Sequence, residues 1–162
     1  MIATKERAVT TFTTPSDREI TMKRVFNAPR ALVFEAHTDP RHPPRWMLGP
    51  DGWTMTVCEI DLRVGGEWHF VWSNTDGSAM EMRGIYQEVR PPARLVNTES
   101  WGPEYPETLN TMDLTEEDGR TTLTTTMLFP TKAARDAALG TGMKAGISLS
   151  YDRLAKHLES LA

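Results

Sequence analysis

The sequence is poor in cysteine and has no long apolar run. Cys58 is the one cysteine among its 162 residues, which excludes an internal disulfide and a cysteine-based zinc site. No apolar stretch approaches the roughly 20 residues that a membrane-spanning helix needs, and residues 1–7 lack the apolar core of a signal peptide. We therefore expect a protein of the reducing cytoplasm that does not insert into a membrane.

An excess of basic residues is absent as well. The chain has 18 Lys and Arg against 22 Asp and Glu, a formal net charge of −4, whereas a dedicated nucleic-acid-binding domain normally presents a basic face. Its 39% hydrophobic and 25% charged residues are typical of a globular domain. Because this length fits one domain, we expect a single domain over residues 19–162 after an N-terminal arm, residues 1–18, and no nucleic-acid partner.

The first elements after the arm are predicted as one strand and two short helices. From residue 20 to residue 26 large side chains recur at every second position, which is the period of a strand. Asn27 is a favourable N-cap and Pro29 presets the first helical angle, so a helix is predicted to begin near residues 28–30. Asp39 and Pro40 end it, and a second short turn from residue 43 carries Trp46.

Six further strand signals follow at the spacing of hairpins. They cover residues 54–61, 67–73, 78–90, 94–101, 107–114 and 121–129. Gly84, inside the third of them, predicts a bulge or a sharp bend. Together with the first strand they predict an antiparallel sheet of about seven strands.

The end of the chain changes to a helical period. Apolar residues recur every three or four positions from Leu139 to Leu161, which predicts an amphipathic helix over residues 142–161, preceded by a separate short helix that Thr131 caps. This is the one predicted helix long enough to cover the apolar face of the sheet. Because a cylinder does not match a curved sheet everywhere, we expect a hollow between them.

The strand period and the helical period also predict which side chains line this hollow. All five tryptophans lie between residues 46 and 101, near several methionines. In the strand of residues 67–73 three large aromatic residues share one face, and in the next strand Met80, Met82, Gly84 and Tyr86 share a face. The predicted ligand-binding residues are Trp46, Trp68, Phe70, Trp72, Met82, Tyr86, Trp101, Met112, Met127, Met143 and Ile147.

Several short motifs, in their order along the chain, resemble one family. They are NAPR at residues 27–30, the turn around Trp46, DLRVGG at 61–66, GIYQEV at 84–89, PPARL at 91–95, and GMKAG at 142–146 followed by SYDRL at 150–154. Together they resemble the SRPBCC superfamily (START-like, pollen-allergen-like), and more narrowly its bacterial branch related to the activator of the heat-shock-protein-ninety ATPase.

This resemblance runs over about residues 19–161 and implies a fold. It is the α+β helix-grip fold, a curved antiparallel sheet that grips a long C-terminal helix over a ligand cavity, which agrees with the sheet of about seven strands and the two short helices expected above. Relatives of this kind bind lipids, hormones or polyketides, and only some of them are catalysts, so the fold alone assigns no activity.

The signals for metal, cofactor and nucleophile chemistry are weak. His37 and His42 are five residues apart with Pro40 between them, so they form no helical ligand pair, and no histidine has the spacing of a zinc site. Cys58 is read as a small buried apolar residue. Gly65 and Gly66 precede a strand, not a helix, which excludes a phosphate-binding loop. We predict no metal, no cofactor and no assigned catalytic residue.

An acid–base residue inside the hollow remains an open alternative. Most ionisable groups of the strands are expected on the solvated outer face, where alternation requires polar side chains. Glu99 is the exception, because by strand parity it could share a face with Leu95 and Trp101. A carboxyl group that faces an apolar cavity has a raised pKa and is suited to general acid or base catalysis.

Three functional hypotheses follow from these patterns. The first is a small-molecule binding protein that holds a hydrophobic or aromatic ligand between the sheet and the C-terminal helix. The second is a partner module that stimulates a chaperone ATPase, as the resemblance suggests. The third is an enzyme of the cyclase or hydrolase type that uses an ionisable residue in the same cavity. The sequence leaves the ligand, the oligomeric state and the pathway open.

Overall fold

The fold is an eight-stranded antiparallel sheet with four helices, seen in a computed structural model that describes residues 8–161. The strands are β1 (Thr11–Thr13), β2 (Glu19–Phe26), β3 (Trp53–Ile60), β4 (Glu67–Asn74), β5 (Ala79–Arg90), β6 (Arg94–Glu99), β7 (Thr108–Glu117) and β8 (Arg120–Leu128). The helices are α1 (Arg30–Thr38), α2 (Pro43–Trp46), α3 (Lys132–Leu139) and α4 (Met143–Leu161). The strand order is β1-β2-β8-β7-β6-β5-β4-β3. The predicted meander is thus β3 to β8, and β2 pairs with its last strand, β8.

The sheet has one strand more than the about seven predicted. The additional strand is β1, which lies within the predicted arm and pairs with residues 21–23 of β2. Its three residues are too few to show an alternation in the sequence, which is why the pattern gave no signal. Residues 1–7 of the arm lie outside the described residues.

Tight turns set the register of the meander. Between β7 and β8, Asp118 and Gly119 both have positive φ angles, 53° and 75°, which is the backbone of a two-residue hairpin turn whose twist matches that of the strands. Between β4 and β5, the Asn74 side chain accepts a hydrogen bond from the Asp76 N–H at 3.3 Å. Both turns lie where the sequence predicted them.

The bulge predicted at Gly84 is wrong. Gly84 pairs regularly with Trp68 of β4, whereas the registers shift between Tyr86 and Glu88 and between Met55 and Val57. A Cβ atom on Gly84 would lie 2.5 Å from Trp68 Nε1 and would overlap the carbonyl oxygen of Thr98. Glycine is therefore required here for a close approach.

The N-cap predicted at Asn27 is also corrected. Pro29 occupies the N-cap of α1 and provides no side-chain hydrogen bond. Instead, the Arg30 N–H donates to Glu116 Oε1 of β7 at 2.6 Å, a long-range contact that no local pattern reveals. The cap of α3 is confirmed, because Thr131 Oγ1 accepts from the Ala134 N–H at 3.0 Å.

Helix α4 lies across one face of the sheet, here called the inner face. Tyr151, Leu154 and Leu158 of α4 are buried in the hydrophobic core. The ring of Tyr151 meets Phe26 of β2 edge-on at 5.8 Å and stacks on Trp46 of α2 at 6.1 Å. The C-terminal half of α4 is thereby fixed to both the sheet and the short helices.

Polar contacts hold α4 along its flanks. Asp152 accepts from the buried Arg24 of β2 at 2.8 Å, while Ser150 Oγ accepts from the Gly49 N–H at 2.9 Å and Arg153 donates to the Gly49 carbonyl at 2.6 Å. These bonds tie the helix to β2 on one side and to the loop after α2 on the other. None of the helices in the described part of the chain is long and apolar enough to cross a membrane.

Candidate functional site

The inner face of the sheet carries two kinds of buried apolar side chain. Ile20 and Leu123 are completely shielded from solvent, whereas Met82, Met112 and Met127 keep 6–9% of their surface exposed. All five side chains belong to the buried core, and the three methionines are slightly less shielded than Ile20 and Leu123.

Helix α4 shows the same division along its length. Leu154 is fully buried near its C-terminal end, but Met143 and Ile147 of its N-terminal half are only half-buried, although they pack against the core. The helix thus covers the inner face less completely at its N-terminal half. We call this region the inner groove and define it by Trp68, Phe70, Met82, Glu99, Met112 and Met127 of the sheet and Met143 and Ile147 of α4.

Glu99 is the acidic residue of the inner groove. It pairs with Thr108 of β7. Alternate residues of β7, beginning with Thr108, are buried on the inner face, so the Glu99 side chain beside Thr108 lies on that face as well. Burial raises the pKa of the Glu99 carboxyl, and hydrogen bonds with the side chains of Asn110, Trp101 and Thr108 act against that rise. The Thr108 hydroxyl also donates to Asn110 Oδ1 at 3.1 Å, which leaves the Asn110 amide N–H groups for the carboxylate.

Two tryptophans form the rim beside Glu99. Trp101 is 39% exposed, and its ring stacks on that of Trp72 with the centroids 5.7 Å apart and the planes 15° from parallel. Trp72 is itself fixed, because its indole N–H donates to the Met47 carbonyl at 2.7 Å. The stacked pair connects the loop after α2 with the end of β6.

Trp68 lies on the other side of Glu99, across Gly84. Its indole Nε1 rests over the Gly84 backbone, and this N–H is buried with no hydrogen-bond partner. The ring tilts against Phe70 at 5.0 Å. Trp68 of β4, Gly84 of β5 and Glu99 of β6 thus occupy neighbouring inward positions in one row across the sheet.

Comparison with known proteins places these features in a family. A family model described as "Activator of Hsp90 ATPase homolog 1-like protein" matches residues 27–159. The chain belongs to this family. The resemblance noted in the sequence is thereby confirmed, and so is the helix-grip architecture. A comparison with curated protein sequences finds no match.

Solved structures agree with this family assignment. A protein from Rhodobacter sphaeroides has 28% sequence identity and a TM-score of 0.88 over 94% of this chain and 99% of its own. The protein Ms6760 from Mycobacterium smegmatis has 23% identity and a TM-score of 0.82 over 93% and 96% of the two chains. An AHSA1-like protein from Aeromonas hydrophila has 22% identity and a TM-score of 0.68 over 86% and 94%. The latter two show a shared fold.

Within this member of the Hsp90-activator-like family, most of the predicted site residues reach the inner face. Those buried there are Trp68, Phe70, Trp72, Met82, Tyr86, Met112 and Met127. Trp101 lies at the rim, and Met143 and Ile147 face the same core from α4. Met80 pairs with Trp72 on the predicted face but is 40% exposed near the start of β5. Their role in ligand binding stays a prediction.

Trp46 is the most deeply buried of the predicted site residues. It is only 1% exposed, its indole N–H donates to the Ala36 carbonyl at 3.0 Å, and His37 meets its ring at 4.9 Å. Trp46 packs the joint between α1, α2 and α4, and its role in ligand binding stays a prediction.

Two features of the interior were missed in the sequence. Tyr151 reaches the centre of the core, where burial raises its pKa to about 12, against a hydrogen bond with Thr125. Arg24 is an inward cation whose partner Asp152 lies 128 residues away. The helical stripe signalled that Tyr151 faces inward, but a long-range ion pair leaves no local signal.

His42 contacts a histidine of α4 that is distant in the sequence, and not its near neighbour His37. His42 Nδ1 lies 2.8 Å from His157 Nε2 of α4, and Glu35, Asp39 and His42 bring possible ligand atoms within 4.8 Å of one another. Asp39, however, already accepts three hydrogen bonds from the Arg41 guanidinium, at 2.6, 3.0 and 3.2 Å. This cluster is accounted for by its protein contacts.

Two surface depressions lie outside the inner groove. One, of about 460 Å³, lies beside the β3–β4 turn between Glu59 and Glu67. The other, of about 360 Å³, lies near the strand ends around Leu109, Leu128 and Pro130. Both are shallow and open, and neither lies between the sheet and α4.

Proposed function

We propose that the protein binds a small hydrophobic or aromatic molecule in the inner groove. One observation supports this most directly: Met143 and Ile147, in the N-terminal half of α4, are only half-buried although they pack against the core. Burial of apolar surface contributes roughly 25 cal/mol per Å², so a ligand that excludes solvent from these side chains gains a favourable free energy. Glu99 supplies the single charged group among them.

A neutral fluorescent probe tests this proposal. N-phenyl-1-naphthylamine is expected to bind with a stoichiometry of one and to quench the tryptophan emission, because Trp68 and Trp72 lie in and beside the inner groove. Ile147→Phe fills the groove from α4 and should weaken binding about tenfold. Leu149→Phe is the matched control, since Leu149 is 43% exposed on the same helix.

The outcomes separate clearly. Saturable binding that Ile147→Phe weakens and Leu149→Phe does not supports the inner groove as the site. Binding without saturation, or equal weakening by both variants, contradicts it.

Glu99 supports a second candidate, an enzyme of the cyclase or hydrolase type. A buried carboxyl group with a raised pKa is suited to proton transfer near neutral pH. An ester-hydrolysis assay with p-nitrophenyl butyrate tests the hydrolase form, and Glu99→Gln should lower such an activity at least a hundredfold. A rate that Glu99→Gln leaves unchanged removes Glu99 from this role.

The family description supports a third candidate, stimulation of a chaperone ATPase. It rests on the matched family model and on no described contact surface. Measuring the ATPase rate of Hsp90 with and without this protein decides it. An unchanged rate at saturating protein rules this role out.

A further inference from the structure

We propose that the inner groove selects a cationic ligand, a protonated amine carried on an apolar or aromatic body, whose ammonium group pairs with the Glu99 carboxylate. This inference rests on the proposed binding function and adds the chemical class of the ligand. Four features of the described residues carry it: an acidic group without a cationic partner, polar neighbours that act in favour of its ionised form, aromatic rings around it, and a glycine that lets Trp68 approach it.

Glu99 has no cationic partner among the described residues. It takes part in none of their ion pairs. Arg24 is the buried cation of the inner face, and it is already held by Asp152 at 2.8 Å. Because burial without a cationic partner raises the pKa of this carboxyl, a ligand ammonium is able to supply the missing partner.

The polar neighbours of Glu99 favour its ionised form. Asn110 and Trp101 are hydrogen-bond donors towards the carboxyl group, and a carboxylate is the form that accepts from several donors at once. The Asn110 amide is oriented for this role because its oxygen accepts from Thr108 at 3.1 Å. Burial nevertheless raises the pKa of the Glu99 carboxyl, and an ammonium group placed beside it would favour the ionised form.

Aromatic rings complete the environment that an ammonium group prefers. Trp68, Trp72 and Trp101 flank Glu99 along and across the strands, and the face of an indole ring attracts a cation. Trp101 is 39% exposed, so it lies where an approaching ligand first makes contact. An anionic ligand would meet the same carboxylate as a repulsive charge, which excludes fatty acids and similar anions as the preferred class.

Gly84 brings the Trp68 indole close to the carboxylate. It occupies the position between Trp68 of β4 and Glu99 of β6 in the cross-strand row, as the registers on both sides show. A Cβ there would lie 2.5 Å from Trp68 Nε1, so the missing side chain lets the indole approach the position next to Glu99.

The test compares ligands that differ in charge and little in shape. The cation is 2-(1-naphthyl)ethylamine at pH 7, the neutral analogue is 2-(1-naphthyl)ethanol, and the anion is 1-naphthylacetate, each measured by titration calorimetry. The native protein should bind the ammonium at least tenfold more tightly than the alcohol, and the carboxylate most weakly. Glu99→Gln should reduce the ammonium preference to less than threefold and leave the alcohol affinity within twofold.

Glu107→Gln is the matched control, because Glu107 is an exposed carboxylate close to β7 and its loss should leave the preference intact. Glu99→Asp keeps the charge one methylene further back and should retain part of the preference. Equal affinity of the native protein for the ammonium and the alcohol overturns the inference while the binding function stands. If none of the three compounds and no neutral probe binds, both fail.

Discussion

Gly84 is the residue whose missing side chain most directly shapes the inner groove. Trp68 lies over it, and Thr98 and Glu99 flank it on β6. The sequence showed that a glycine inside a strand is unusual, but not which of its two common reasons applied. Only the neighbouring strands distinguish a bulge from a close approach, and here they require the close approach.

Gly84→Ala is therefore expected to destabilise the protein strongly. The added Cβ overlaps backbone of β6 and the Trp68 indole, and overpacking of this kind costs about 1–3 kcal/mol. We expect a loss of about 2 kcal/mol or more in the free energy of unfolding, measured by urea denaturation. Gly142→Ala is the control, since a Cβ at Gly142 meets nothing within 4 Å, and it should change stability by less than about 1 kcal/mol. Equal effects of the two substitutions would contradict this account.

Glu99 shows how far strand parity carries a site prediction. Parity alone suggested that Glu99 shares a face with Leu95, and the structure places both on the inner face. It could not show that Asn110 and Trp101 bond the carboxyl group, because these partners come from another strand and from beyond the strand end. Local pattern gives the direction of a side chain, whereas its chemistry depends on non-local neighbours.

At the scale of elements, α4 determines whether a groove exists at all. Its helical period was evident in the sequence, and the strand and hairpin periods predicted the meander. The attachment of α4 was not evident, because it depends on Arg24, Gly49 and Trp46 from three other segments. The uneven cover of the inner face is a consequence of those attachments.

Alanine substitutions along α4 measure this unevenness. Leu154→Ala removes a fully buried side chain and should cost about 2–5 kcal/mol of unfolding free energy. Ile147→Ala removes a half-buried one next to the inner groove and should cost about 1 kcal/mol. Leu149→Ala, on the exposed side, should be nearly neutral. A cost for Ile147→Ala as large as that for Leu154→Ala would mean that the N-terminal half of α4 is closely packed and that the groove is closed.

At the scale of the whole molecule, stability should depend on pH through buried histidine. Burial lowers the pKa of His37 from 6.5 to about 4, against a hydrogen bond with the Val33 carbonyl. Burial, with the nearby His42 and Arg45, also lowers the pKa of His157. In this range the unfolded chain binds protons that the folded protein does not, so stability falls as pH falls from about 6.5 towards 4. The raised pKa of Glu99 acts in the opposite direction, because the folded protein then binds the additional proton.

His37→Phe isolates the largest part of this dependence. Phenylalanine keeps a ring against Trp46 but does not titrate. The lowered pKa of His37 reduces the free energy of unfolding at acidic pH by about 3 kcal/mol at most, and the variant lacks this reduction. Unfolding free energies of both proteins are measured by urea denaturation between pH 8 and pH 4.5. The difference between them should be constant above pH 7 and should move in favour of the variant as the pH falls below 6.5. Parallel pH profiles would show that His37 is free to take up its proton in the folded protein, contrary to its burial beneath Trp46.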